Sequence, residues 1–466
     1  MSERHEFHPS ILRAYDIRGI VGDTLTEQDA YFVGRSLASV VAERGGQTVA
    51  VGWDGRLHSP GLADAVCTGA ADAGMDVKRV GRGPTPMLYF AAHHLHADGG
   101  IMVTGSHNPP SHNGFKLMLG DRTLSGEQIR DLGTRAASGG LASGTGSVQD
   151  VEILPTYVDR LLEGLRLSGS QKCAWDPGHG AAAEVMNALL DRMPGEHVTI
   201  NAHIDGTFPG HHPDPSEEEN LEQLRELVLE NGCDIGLAFD GDGDRLGLVD
   251  GKGRIVWPDQ ALVLLARHLL AKRPGATVIA DVKASQVLFD EVERAGGKAE
   301  MWRTGHSLIK GRMRETGAPL AGEMSGHIFF ADDWYGFDDG LYAALRVLAA
   351  LDWAEISLAD VLDGLPRTLT TPELRFECDE ERKFDCVEAV RREVGKSAAE
   401  VIDIDGVRVI DDGGWWLLRA SNTQAVLVAR CEGKSADDLQ RQKLALSHAL
   451  DAAGVDSSSL NLREVA

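Results

Sequence analysis

Three aspartates alternate with glycines in the segment F-D-G-D-G-D-R, residues 239–245. Asp240, Asp242 and Asp244, called the aspartate triad below, must either bind a cation or repel one another, and the intervening glycines permit the tight backbone that would bring them together. The segment is not an EF-hand, because its sixth position is Arg245 and its twelfth is Gly251. Three carboxylates with open coordination positions suit Mg²⁺ that also contacts a phosphate oxygen. An acidic exposed turn is the alternative.

A second polar segment, T-G-S-H-N-P at residues 104–109, follows the buried-strand signal I-M-V. Ser106 is therefore predicted at the carboxyl end of a strand, where open α/β sheets place their ligands. A serine nucleophile needs a base or an electrophilic partner, and His107 is adjacent. The alternative is a turn in which the asparagine and the proline serve local geometry.

A third segment, G-E-M-S-G-H at residues 322–327, comes after T-G-H-S at residues 304–307. Its two glycines bracket Glu323 and Ser325, which indicates a loop that presents two polar side chains to a ligand. A carboxylate accepts a hydrogen bond from one sugar hydroxyl, and a serine hydroxyl can donate to its neighbour. The segment therefore suits sugar recognition, although alone it could be a simple turn.

The fourth segment is R-A-S-N-T, residues 419–423, which follows the strand signal W-W-L-L. Arg419 offers a bidentate fork, and Ser421, Asn422 and Thr423 add donors that suit a phosphate group that does not react. A helix N-cap or an Asx turn is the alternative. The sequence contains neither a P-loop nor G-x-G-x-x-G, so nucleotide and dinucleotide sites have no support.

Helix and strand signals alternate along most of the chain that carries these segments. Thr26 and Asp29 form a capping-box pattern before apolar residues at helical spacing. The strand-like runs T-V-A-V, K-C-A-W and T-V-I-A each end at an aspartate, namely Asp54, Asp176 and Asp281. This repetition predicts three similar α/β units with largely parallel sheets. Chance strand-aspartate pairs are the alternative.

Composition shifts suggest where the units end. A Gly/Ser/Ala-rich stretch at 136–146 predicts a flexible connection, and further boundaries fall near residues 250–253 and 365–367. Beyond residue 371 strand signals dominate, which indicates a smaller α+β domain. The predicted domains are 1–147 with the serine loop, 148–252 with the metal loop, 253–366 with the sugar loop and 367–466 with the phosphate loop.

Bulk composition narrows the possible partners. The net charge of −25 argues against nucleic-acid binding, and a local cationic site must overcome the repulsion of a sugar phosphate. The six cysteines contain no C-x-x-C pair, which indicates reduced thiols. The N-terminus lacks a secretory signal, and the strongest apolar helix, 261–271, is too short to span a bilayer. We expect a cytoplasmic protein without membrane association, as a monomer or weak dimer.

The four loops, in this order and spacing, resemble the α-D-phosphohexomutases, and most closely the bacterial phosphomannomutase/phosphoglucomutase branch. The resemblance runs from A-Y-D-I-R-G, which begins at Ala14, to R-A-S-N-T. It implies three similar α/β domains and a smaller C-terminal α+β domain around a central cleft. It also implies that Ser106 carries the phosphoryl group and that the aspartate triad, together with Ser106, holds Mg²⁺.

The resemblance also implies roles for individual side chains. The catalytic positions are Ser106, His107, Lys116, His306 and His327. The substrate contacts are Tyr15, Arg18, Arg245, Lys283, Glu323, Ser325, Arg419, Ser421, Asn422 and Thr423. The chain departs from the family pattern at Gln424-Ala425, where a proline is frequent, and at His179, where an asparagine is frequent.

The implied activity is transfer of a phosphoryl group between C1 and C6 of glucose or mannose phosphate, with a hexose 1,6-bisphosphate as intermediate and activator. The phosphoglucosamine mutases are the neighbouring branch, but Met324 stands where that branch usually has glutamine. A serine-nucleophile phosphatase is a second alternative, although it would have no use for a loop that holds another phosphate. A non-catalytic sugar-phosphate-binding protein is a third, which an intact Ser106 and aspartate triad oppose.

Overall fold

The computed structural model describes residues 4–394, 400–422 and 425–455. Its first unit begins with a 3-10 turn, Pro9–Ile11, and is built on one mixed sheet. The strands of this unit are β1 (Ile17–Ile20), β2 (Thr48–Trp53), β3 (Asp76–Arg82), β4 (Gly99–Val103), β5 (His112–Leu119), β6 (Arg122–Thr123) and β7 (Ser147–Asp150). Its helices are α1 (Glu27–Glu43), α2 (Ser59–Asp72), α3 (Thr85–His94) and α4 (Glu127–Ser138). The predicted capping box at Thr26 and Asp29 starts α1.

The second unit contains α5 (Leu154–Leu162), β8 (Lys172–Asp176), α6 (Ala183–Leu190), β9 (Glu196–Thr199), a 3-10 turn (Glu218–Leu221), α7 (Glu222–Asn231), β10 (Ile235–Phe239), β11 (Leu246–Asp250) and β12 (Ile255–Val256). The third contains α8 (Pro258–Lys272), β13 (Thr277–Asp281), α9 (Gln286–Arg294), β14 (Lys298–Trp302), α10 (His306–Thr316), β15 (Leu320–Gly322), β16 (Ile328–Phe330), α11 (Gly340–Ala354) and α12 (Leu358–Asp363). Both sheets are mixed.

The fourth unit has a different architecture. It contains β17 (Leu369–Thr370), β18 (Leu374–Glu377), α13 (Lys383–Val394), β19 (Glu400–Ile402), β20 (Val407–Asp411), β21 (Gly414–Ala420), β22 (Val426–Gly433) and α14 (Ala436–Ala452). All strand pairs in its described part are antiparallel. The predicted fold class, three similar α/β units followed by a smaller α+β unit, is confirmed.

The first three units repeat one strand order. The sheet sequences are β5-β4-β2-β3, β11-β10-β8-β9 and β16-β15-β13-β14. In each set the first pair is antiparallel and the other two pairs are parallel. The aspartates that mark the repeat in sequence, Asp54, Asp176 and Asp281, lie at the end of the equivalent strands β2, β8 and β13, and all three are buried.

The units are firmly joined. One hydrophobic cluster contains Phe90, Trp175 and Leu345, which come from the first, second and third units. The guanidinium of Arg408 links the fourth unit to the third by donating to the carbonyl oxygens of Val282 (2.7 Å) and Ala284 (2.8 Å). Within the described residues, no helix combines the length and the apolar character needed to cross a membrane.

The stretch 136–146 is less free than the sequence predicts. The backbone amides of Gly144 and Gly146 donate to the carbonyl oxygens of Asp72 and Ala71, and the amide of Ala142 donates to Ser39 Oγ (2.8 Å). The prediction of a flexible connection is therefore wrong for this stretch, which is tied to the first unit before β7 joins that unit's sheet.

Candidate active site

Each sequence motif occupies a loop between two adjacent antiparallel strands. The serine loop joins β4 to β5, the aspartate triad lies between β10 and β11, and Glu323 and Ser325 lie between β15 and β16. These positions are equivalent in the repeated strand order. The phosphate motif begins inside β21, at Arg419, and its residues Ser421 and Asn422 follow that strand on the way to its antiparallel neighbour β22. The fold therefore presents four sets of polar side chains next to antiparallel strand pairs.

The serine loop and the metal loop are in direct contact. Ser106 Oγ donates to Asp240 Oδ2 at 3.1 Å and lies 3.2 Å from His107 Nδ1. A Cβ atom on Gly241 would lie 2.4 Å from the carbonyl oxygen of Ser106, so only glycine allows this approach. Ser106 itself has a φ of 47°, in the left-handed region that L residues seldom adopt. Its backbone amide donates to Thr104 Oγ1 (2.8 Å).

Lys116 provides the positive charge closest to the aspartate triad. From β5, its Nζ donates to Asp242 Oδ2 at 2.6 Å and also to Asp244. Burial alone would lower the pKa of Lys116, but the two carboxylates outweigh burial and raise that pKa well above its ordinary value. Lys116 is therefore a cation whose charge is held next to the serine loop.

The triad fits a divalent cation. Its three carboxylates each place an oxygen within 4.8 Å of the others, and all three residues are buried. Asp242 Oδ1 has no hydrogen-bond partner among the described residues. Burial and the two neighbouring carboxylates raise the pKa of Asp240 well above its usual range, whereas Lys116 lowers the pKa of Asp242 and Asp244, so Asp240 is the carboxylate with the least compensating positive charge. An oxygen-liganded cation would supply it.

Two histidines lie on the sugar-loop side of the triad. His327 Nε2 is 3.1 Å from Asp244 Oδ1, and His327 Nδ1 is 3.3 Å from Glu323 Oε2 and 3.4 Å from Ser325 Oγ. Although burial opposes the charged form, the two carboxylates raise the pKa of His327 to about 9. The ring of His306 lies 5.5 Å from that of His327, and burial together with Lys310 lowers the pKa of His306.

Asp338 and Lys310 form a buried ion pair under these rings that the sequence motifs did not identify. Lys310 Nζ donates to Asp338 Oδ1 at 2.9 Å, while Asp338 Oδ2 lies 3.5 Å from His306 Nδ1 and 4.0 Å from His327 Nε2. The pair could have been suspected only from G-F-D-D-G, in which two aspartates precede a helix. Both charges act on His306, where Lys310 lowers the pKa and Asp338 raises it.

Arg18 and Arg245 lie beside the serine loop, to which His107 belongs. Arg18 Nη1 donates to Asn108 Oδ1 at 2.9 Å, and Arg245 pairs with Asp214 at 3.3 Å. Burial, and then the charges of Arg245 and Arg18, lower the pKa of His107 well below its ordinary value. His107 is therefore a neutral group at physiological pH.

The phosphate loop contacts the first unit through Tyr15. Asn422 Nδ2 donates to Tyr15 Oη at 2.6 Å, and Tyr15 Oη donates to the carbonyl oxygen of Thr304 at 3.0 Å. The Tyr15 ring also contacts that of His306, at 5.9 Å between centroids. Lys383 Nζ donates to the carbonyl oxygen of Ser421 at 2.7 Å. These contacts connect the fourth unit to Tyr15 of the first unit and, through Tyr15, to Thr304 and His306 of the third unit.

Arg419 and Lys283 each have an acidic partner. Arg419 Nε donates to Asp405 Oδ2 at 3.0 Å, and Asp405 also accepts from the amide of Thr304 at 3.0 Å. Lys283 Nζ donates to Glu373 at 3.2 Å. The predicted substrate contact at Thr423 and the departure at Gln424 lie outside the described residues.

Comparisons with known proteins cover nearly the whole chain. Models described as phosphoglucomutase/phosphomannomutase alpha/beta/alpha domains I, II and III match residues 9–156, 155–253 and 257–369, and the C-terminal domain of the same description matches 373–449. A phosphomannomutase/phosphoglucomutase from Pseudomonas aeruginosa is 45% identical over 449 residues, 96% of each chain. A phosphoglucomutase from Neisseria gonorrhoeae is 44% identical, covering 92% of this chain and 94% of its own.

A crystal structure of a phosphoglucomutase/phosphomannomutase family protein from Burkholderia thailandensis superposes with a TM-score of 0.91 at 42% identity, over 96% of this chain and 98% of the other.

Proposed function

The chain belongs to the phosphoglucomutase/phosphomannomutase family, and we propose that it moves a phosphoryl group between C1 and C6 of glucose and mannose phosphates through Ser106. The observation that carries this proposal is the contact of 3.1 Å between Ser106 Oγ and Asp240, inside a buried triad that also binds Lys116. A nucleophilic hydroxyl, a cation-binding carboxylate set and a fixed ammonium group are the components that phosphoryl transfer requires.

Ser106 donates its phosphoryl group to the free hydroxyl of the bound hexose phosphate, which gives a hexose 1,6-bisphosphate. After the sugar reverses its orientation, the other phosphate returns to Ser106 Oγ. Lys116 Nζ lies where it can neutralise charge on the moving group. The aspartate triad and Ser106 would hold Mg²⁺, which when bound would neutralise further negative charge on the phosphoryl oxygens.

The two histidines divide the proton transfers. A sugar hydroxyl that attacks must lose its proton, and general bases and acids typically contribute about 10²–10⁴-fold. His306 and His327, whose rings lie 5.5 Å apart beside the sugar loop, are the two proton carriers of this proposal. Burial and Lys310 lower the pKa of His306, which favours its neutral, proton-accepting form.

The sugar loop and the phosphate loop orient the substrate. Glu323 and Ser325 bind the 3- and 4-hydroxyls, which glucose and mannose share, so that the 2-hydroxyl is read only lightly. Because the sugar presents either end to Ser106, contacts near the middle of the ring serve both orientations. The phosphate that is not transferred is bound by Arg419 together with Ser421, Asn422, Thr423 and Lys283.

Removal of the Ser106 hydroxyl tests this function, and Ser111 provides a matched control. Ser111 belongs to the same loop and also contacts a histidine nitrogen, at 3.2 Å, but it is exposed. Ser106→Ala should lower turnover of glucose 1-phosphate by several orders of magnitude and abolish the phosphate that mass spectrometry should find on the active enzyme. Ser111→Ala should keep both. Wild-type turnover by Ser106→Ala, or a phosphate on another residue, would refute the covalent mechanism.

A further inference from the structure

One buried guanidinium gathers the carbonyl oxygens of the serine loop. Arg56 Nη1 donates to the carbonyl oxygens of Pro109 (2.6 Å) and His112 (3.1 Å). Its Nη2 donates to the carbonyl oxygens of Ser106 (2.7 Å) and Asn108. Three carbonyl oxygens of the serine loop and that of His112, the first residue of β5, therefore converge on a single side chain that has no solvent exposure.

Asp54 fixes the other side of the same loop. Its Oδ2 accepts from Thr104 Oγ1 at 2.8 Å and from the amide of Gly105 at 3.0 Å. Asp54 also lies 3.2 Å from Arg56 Nε, so the two charges compensate each other inside the protein. The pair thus holds the loop by its amide side through the carboxylate and by its carbonyl side through the guanidinium.

Gly105, the glycine of the serine motif, makes room for the contact between Arg56 and the backbone of the loop. A Cβ atom on Gly105 would lie 2.4 Å from Arg56 Nε and 2.5 Å from its Cζ. The glycine is therefore required because the guanidinium packs against the backbone at this position. The second unit closes the site, because the Phe208 ring lies 5.1 Å from Arg56 Cζ and a Cβ on Gly206 would meet the carbonyl oxygen of Gly55 at 2.7 Å.

We propose that Arg56 is a positioning residue for phosphoryl transfer, which holds Ser106 in its left-handed conformation so that Oγ points at the aspartate triad. This inference rests on the proposed function of Ser106. A non-glycine residue at a φ of 47° persists only where its surroundings determine it, and the carbonyl oxygen that Arg56 binds is that of Ser106 itself. A planar fork can span four acceptors, whereas a lysine ammonium is a single point of charge.

Arg56→Lys tests the proposal because it keeps the charge opposite Asp54 and removes the fork. We expect kcat for glucose 1-phosphate, at saturating glucose 1,6-bisphosphate, to fall about 10²-fold or more, since misplacement of a reacting group by about 1 Å has that effect. KM should stay within about threefold, because the sugar and phosphate loops belong to other units. A folded Arg56→Lys enzyme with nearly wild-type kcat would overturn the inference.

Arg346→Lys is the matched control. Arg346 is also buried and donates to a backbone carbonyl oxygen, that of Asp332 (2.9 Å), but it lies in the third unit outside the serine loop. This variant should keep wild-type kcat. An equal loss of kcat in Arg346→Lys would show that any buried arginine has this effect and would overturn the positioning role.

Gly105→Ala gives a second route that does not alter Arg56. The added methyl group displaces the guanidinium, so kcat should fall while KM holds, and the double variant with Arg56→Lys should lose much less than the product of the two single effects. A wild-type kcat in Gly105→Ala would contradict the shared contact. A double variant whose loss of kcat equals the product of the two single losses would contradict it as well. Wild-type enzyme without turnover or phosphate on Ser106 would instead refute the proposed function itself.

Discussion

A buried carboxyl group at the start of α11 makes stability depend on pH. Asp339 caps this helix, where its Oδ1 accepts from the amide of Tyr342 at 3.0 Å and its Oδ2 accepts from Tyr157 Oη at 2.7 Å. Burial outweighs both hydrogen bonds and raises the pKa of Asp339 to about 7. In the unfolded chain an aspartate titrates near pH 3.9. Between these values the unfolded state ionises more readily than the folded one.

The direction in which stability changes with pH follows from the difference between the folded and unfolded pKa values of Asp339. A raised folded pKa gives a contribution to stability that is present below about pH 4 and is lost as the pH rises through about 7. Each pH unit in this window costs about 1.4 kcal/mol, so the full loss is on the order of 4 kcal/mol as an upper bound. Asp339→Asn keeps the size of the side chain and removes the ionisation; like the protonated acid it presents one acceptor, for the amide of Tyr342, and one donor, to which Tyr157 Oη would become the acceptor.

Thermal unfolding monitored by tryptophan fluorescence at pH 5, 6, 7 and 8 is the assay, at constant ionic strength and Mg²⁺. The melting temperature of Asp339→Asn should rise relative to wild type by several degrees between pH 5 and 8, with little further gain above that. Asp290→Asn, an exposed aspartate in α9, should follow the wild-type curve. Parallel curves for wild type and Asp339→Asn would refute the reasoning.

Two further predictions concern the proposed mechanism. Excess EDTA should abolish turnover, and Mg²⁺ should restore it better than the larger Ca²⁺, because the carboxylates of the aspartate triad would position a compact cation; full activity in EDTA would contradict the assignment. Glu323→Gln should lower kcat/KM for glucose and mannose phosphates alike by about 10–10²-fold, the scale of a lost hydrogen bond to a charged acceptor. A loss for one sugar alone would mean that Glu323 reads the 2-hydroxyl instead.

The sequence predicts the fold class because its signals are local. Strand-like runs, the capping box at Thr26 and the aspartates at strand ends all act within a few residues, and the structure contains them where the patterns indicate. The internal repeat was visible only through Asp54, Asp176 and Asp281. In the structure these residues mark the ends of the equivalent strands β2, β8 and β13, and Asp54 additionally organises the serine loop.

The residues that the sequence motifs did not identify are different, because they act on partners that are far away in the chain. Arg56 binds carbonyl oxygens about fifty residues later, and no side-chain pattern records which backbone atoms will converge. The sequence gives equally little sign of the ion pair between Lys310 and Asp338, since either residue alone resembles a solvated charge. The error at 136–146 has the same cause, because its glycines suggest freedom while distant carbonyl oxygens accept from its amides.

The many carboxylates of this protein affect how a phosphate group would bind. Arg419 is held by Asp405, and Lys283 by Glu373, so the cations proposed to bind the non-transferring phosphate are already paired. Among the described residues, Asp405 engages Arg419 through Nε, and the two terminal nitrogens have the fork geometry that suits phosphate oxygens. An acidic partner can therefore orient the arginine without competing for the atoms that the phosphate would use.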